Sequence, residues 1–104
     1  MANNTNQPGE QITIEEAIEM TTAYREANPN KTKAHFFRKA ILEQILTQDG
    51  CVGVRMYYGI DSEGEKQLVL VGVTEEGLDL RELCVDRSYP CPDYCDSTSP
   101  LCDN

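Results

Sequence analysis

The chain has no tryptophan, two phenylalanines and a single histidine in 104 residues. Aromatics make up 7% and apolar residues 39%, enough for one compact domain with a modest core but not for two. Basic residues are also scarce, with nine Lys and Arg against eighteen Asp and Glu, a net charge of -9. Such a surface lacks the cationic stripe that phosphate contacts need, which argues against nucleic acid as a partner and against anionic lipid. No apolar run approaches the roughly 20 residues of a membrane span. There is no phosphate-binding glycine loop, no GxSxG, no HExxH and no dinucleotide fingerprint. Residues 1–11 carry neither a positive charge nor an apolar stretch, so no secretory signal is expected there. The cytoplasm is then the default location, with an extracellular one left open if the cysteines are disulfide-bonded.

What is present divides into segments. Residues 1–11 are polar, rich in Asn and Gln, and read as a disordered arm. Thr13 with Glu16 three residues on forms a capping box, and Ile14, Ala17, Ile18, Thr21 and Tyr24 recur at helical spacing. That helix should stop near Ala27, because Asn28 precedes Pro29. A second helix is expected from Thr32 to about Thr47, with Ala34, Phe37, Ile41, Leu42 and Ile45 on one face. Its first half carries Lys31, Lys33, Arg38 and Lys39, and cations there oppose the helix dipole. Val52, Val54, Met56, Tyr58 and Ile60 then alternate with Gly53, Arg55, Tyr57 and Gly59, the period of a half-buried strand. On that alternation Tyr58 goes to the core and Tyr57 to the other face with Arg55. A polar turn over residues 61–66 leads to a second strand at 67–74, which completes an antiparallel hairpin. Leu78, Leu80, Leu83 and Val85 suit either an edge strand or a helical turn. Residues 86–104 are rich in Cys and Pro and cannot build a core.

The segments ITIEEAIEMTTAYR (12–25), GCVGVRMYYGID (50–61), VGVTEEGLDL (71–80) and CPDYC with SPL (91–101) together resemble a group of short uncharacterised proteins of Bacteroidota. The resemblance implies a bacterial source and supplies no catalytic residues. In that group the pair matching Cys91 and Cys95 is more regular than partners for Cys84 or Cys102.

Four of the five cysteines fall within nineteen residues, and their spacing is symmetric about Asp93. A chain reversal there would set Cys84 against Cys102 and Cys91 against Cys95, giving nested disulfides worth ~2–3 kcal/mol each. Four thiolates, Cys84, Cys91, Cys95 and Cys102, could instead hold zinc, although the inner spacing is Cys-x3-Cys rather than the usual Cys-x2-Cys. Free thiols in a loose tail are the third reading. His35 and Cys51 could form a base–nucleophile pair, but nothing in the sequence brings them together, and Cys51 reads as a small half-buried strand residue. The carboxylates cluster in turns, where acidic residues serve solvation.

Charge is segregated. Residues 31–48 set four cations against Glu43, whereas residues 61–104 hold eleven acids and three bases. The expected architecture is α+β, with two N-terminal helices packed on a small antiparallel hairpin or sheet over residues 12–85, followed by the irregular tail 86–104. The expected function is a non-catalytic structural or interaction protein that self-assembles into an oligomer or filament, or docks in a larger complex. Its candidate interface is Lys31, Lys33, Phe36, Arg38, Lys39, Arg55 and Tyr57. No cofactor is implied on that reading. The alternative is a zinc-binding or redox module built on the cysteines.

Overall fold

The computed structural model of the chain describes residues 9–91 and 96–102, with residues 89–91 as backbone only. The chain divides into two compact units, one of Met1–Lys31 with Ser97–Asn104 and the other of Thr32–Asp96.

In the first unit, helix α1 spans Ile14–Ala27. Thr13 caps it in extended conformation: its hydroxyl accepts from the Glu16 N–H while Glu16 Oε1 accepts from the Thr13 N–H, both at 3.0 Å. The expected stop after Ala27 is also present, with Asn28 donating through backbone and side chain to the Tyr24 carbonyl ahead of Pro29. No residue of α1 is fully buried. Arg25 Nη1 donates to the Leu101 carbonyl at 2.7 Å, tying the helix to the C-terminal turn of the same unit.

The second unit holds a three-stranded antiparallel sheet in the order β2-β3-β4, a short two-stranded ladder of β1 with β5, and helix α2. The strands are β1 Ala34–Phe36, β2 Cys51–Ile60, β3 Lys66–Thr74, β4 Asp79–Val85 and β5 Tyr89–Cys91, and α2 is Lys39–Leu46. With two helices and an antiparallel sheet the fold is α+β. The second helix is shorter than the sequence suggested. Residues 34–36 instead pair antiparallel with 89–91, Ala34 opposite Cys91 and Phe36 opposite Tyr89. That pairing holds the backbone of 34–36 extended and so excludes it from the helix. Starting at Lys39 leaves Lys31, Lys33 and Arg38 outside the helix, with Arg38 as an N-cap whose side chain makes no capping hydrogen bond.

Both hairpins of the sheet use one turn design. Asp61 donates its N–H to the Glu65 carbonyl and accepts from the Gly64 N–H, and Thr74 relates in the same way to Leu78 and Gly77. Gly64 and Gly77 sit at φ +83° and +88°, left-handed backbone that glycine adopts at no steric cost. The Asp61 carboxylate also accepts from the N–H groups of Glu63 and Glu65 and from Gln67 Nε2, each at 2.9 Å. These bonds hold its pKa below the ordinary aspartate value.

β3 is the central strand, and Leu70, Val71 and Gly72 are buried. Gly72 lies where the backbone has no room for a side chain: a Cβ there would stand 2.8 Å from Gln48 Nε2 and 2.9 Å from Cys51 Sγ. The core joins Ile45 of α2 to Leu70 and Val85, with Phe37, Ile41, Leu42, Val54, Leu68 and Leu83 packed around them.

Tyr58 departs from expectation. It shares a face with the core but is 85% exposed. Eight residues of helix reach about 12 Å, whereas ten residues of strand reach about 33 Å, so α2 covers only part of the hairpin.

Candidate functional site

The cysteine tail does not assemble as the symmetric spacing suggested. Cys84 lies on β4 as an exposed free thiol whose Sγ donates to the Arg81 carbonyl at 3.4 Å. Cys102 is disulfide-bonded. The bridge expected between Cys84 and Cys102 is not made, since the Cys84 thiol is free. The expected pairing of Cys91 with Cys95 lies outside the described side chains. Among the described residues no group of three or more His, Cys, Asp or Glu side chains could hold a metal ion.

His35 and Cys51 are engaged separately. His35 Nδ1 is 2.8 Å from the Ser88 hydroxyl, and Cys51 Sγ is 3.2 Å from the Gly53 carbonyl it donates to. His35 Nε2 is buried and has no hydrogen-bond partner. Burial pushes the His35 pKa below its ordinary value, and the nearby Lys66 charge adds to that effect while Asp86 opposes it.

The basic segment falls in two places. Lys31 belongs to the unit of α1, whereas Lys33, Phe36, Arg38 and Lys39 belong to the unit of the sheet. The Arg38 guanidinium lies 5.9 Å from the centre of the exposed Phe36 ring, within cation–π range. Phe36, Arg38 and Ile41 face Val85, Asp86 and Arg87 across a shallow cavity of about 210 Å³. That volume falls below what a drug-sized ligand occupies.

Arg55 and Tyr57 converge on one carboxylate. Arg55 Nη1 and the Tyr57 hydroxyl donate to the two oxygens of Asp79 on β4, each at 2.5 Å, and Arg55 also reaches the Gly77 carbonyl at 3.2 Å. The Tyr57 hydrogen bond, followed by the Arg55 contact, holds the Asp79 pKa below its usual range. The Asp79 hydrogen bond in turn raises that of Arg55. These two candidate interface residues thus brace one face of the sheet across β2, β3 and β4.

The opposite face is where apolar surface gathers. Met56 stands opposite Leu70 and Tyr58 opposite Leu68, so both share the core's face, and Ile60 follows on the same side. They are 56%, 85% and 77% exposed. Single exposed apolar side chains are ordinary, but three in sequence on one side of one strand form a patch. The alternation was legible in the sequence, whereas the exposure of these side chains was not. No known protein family, curated protein or solved structure matches the chain.

Proposed function

We propose that this protein is a small non-catalytic interaction subunit that associates with copies of itself. One observation carries the reading: the strip of Met56, Tyr58 and Ile60 extends the core's own face beyond the reach of α2 and stays open to water. Burying such a strip is favourable at roughly 25 cal/mol per Å² of apolar surface, and a neighbouring molecule can supply the cover. The chemistry around it supports binding over catalysis. The carboxylates whose pKa values move, Asp61 and Asp79, both move downward and are committed to a turn and to a cross-strand brace. A general acid at neutral pH needs the opposite shift.

Sedimentation velocity over a concentration series tests the reading. A weight-average mass that rises from one chain toward a defined multiple is the expected result. A constant single-chain mass up to about 1 mM would refute it.

A further inference from the structure

The exposed strip lies on a strand that is itself an open edge. Among the described residues β2 pairs with β3 on one side only, because the sheet order is β2-β3-β4. Which residues face the open side follows from the hairpin turn. Asp61 donates its N–H inward to Glu65, so in the alternation of an antiparallel ladder Gly59, Tyr57 and Arg55 also turn their backbone groups toward β3. Val54, Met56, Tyr58 and Ile60 therefore aim N–H and C=O outward. The residues that offer unpaired backbone are the ones whose side chains form the apolar strip.

The two edges of the sheet differ. On β4 the register jumps between Gly72 opposite Leu80 and Val71 opposite Cys84, throwing Arg81 and Glu82 into an irregular, exposed stretch. That is how natural sheets blunt an edge. β2 has its register shift only at the Cys51 end and runs regularly from Gly53 to Ile60 without Pro or Lys.

We propose that β2 of one copy pairs antiparallel with β2 of a second copy about a two-fold axis at Met56, forming a continuous six-stranded sheet; this rests on the self-association reading above. Around Met56 the mirror positions are Gly53 and Gly59, Val54 and Tyr58, and Arg55 and Tyr57, so only the flanking glycines repeat. Antiparallel two-fold pairing sets each residue opposite its mirror position, so Val54 meets Tyr58, a β-branched residue on an aromatic. A register centred on Met56 keeps residues 52–60 paired within the strand on both copies. Centring on Tyr57 or Tyr58 shortens the overlap, and centring on Arg55 sets two guanidinium groups against each other. Net charge opposes a second copy, but the strand itself adds no local repulsion. Each chain carries -9, yet the only charge on β2 is Arg55, already paired with Asp79, so the contact brings no carboxylates of the strands together.

Amide hydrogen exchange by NMR at about 10 µM and about 1 mM, with isotope-filtered NOE spectra on a mixed labelled and unlabelled sample, tests the pairing. The expected result is protection of Val54, Met56, Tyr58 and Ile60 amides that appears only at high concentration. Arg55, Tyr57 and Gly59 stay protected throughout. An intermolecular NOE between the α-protons of Arg55 and Tyr57 fixes the register. Met56→Lys should weaken association at least about tenfold, with Met56→Leu retaining it. Oligomers whose even-numbered amides exchange fast at every concentration, or whose NOE sets another register, overturn this pairing and leave self-association standing. A single chain at all concentrations overturns both.

Discussion

Asp79 and His35 show how individual side chains set the pH response of the fold. Asp79 accepts from Arg55 and Tyr57 at once and stays ionised well into acid. His35 does the reverse job: with Nε2 buried and unpartnered, its charged form is disfavoured in the folded chain. A folded pKa below the unfolded value means that the unfolded chain binds more protons in between. The His35 contribution is complete above about pH 6.5 and is lost as pH falls through its lowered folded value. It is the only histidine, and the stabilisation from the lowered carboxylates Asp61 and Asp79 is complete across this range and is lost only at more acid pH. Denaturant midpoints measured from pH 8 to pH 5 are therefore expected to decline in the native chain and to stay nearly flat in His35→Gln. Equal slopes in both would remove His35 from the explanation.

Among the elements, those specified by neighbours in sequence were legible and those specified by distant partners were not. The Thr13–Glu16 box, the Asn28-Pro29 stop and the turn at Asp61 and Gly64 each need residues no more than four apart, and each folds as its sequence implies. β1 needs residues 89–91, more than fifty positions away, and its three residues are too few for a period of two to show against a period of 3.6. Pairing with β5 therefore overrode the helical pattern. The alternation that aligns Met56, Tyr58 and Ile60 is readable directly, but the sequence points Tyr58 to the core and places the interface on Arg55 and Tyr57, because the exposure of the strip depends on α2 being only eight residues long. The capping box gives a local test. Thr13→Ala removes the bond to the Glu16 N–H and should cost about 1 kcal/mol of helix stability. Because α1 buries no residue fully and belongs to a separate unit from the Ile45–Leu70–Val85 core, the loss should appear as fraying of residues 14–17. Carbon chemical shifts report that fraying directly, and the melting of the sheet unit should move little. A large drop in the melting of the sheet unit would contradict this assignment.

At the scale of the whole molecule, two modes of self-contact make opposite demands on salt. A contact between the basic side chains Lys33, Arg38 and Lys39 and an acidic surface of the next copy is head-to-tail, propagates, and weakens as ions screen it. Pairing of two β2 edges joins the least charged strand face of chains that repel each other through a net -9 each, so screening removes an opposing term and leaves the apolar gain intact. The screening length falls from about 30 Å at 0.01 M salt to about 10 Å at 0.1 M and about 3 Å at 1 M, which spans the range from strong repulsion between whole chains to almost none. At fixed protein concentration the average mass should therefore rise with salt. It should then level off at twice the 11.7 kDa of one chain, because a two-fold contact closes and leaves no second β2 edge to extend. A mass that falls with salt would assign association to the charged segments, and one that climbs past two chains would show that the contact is not closed.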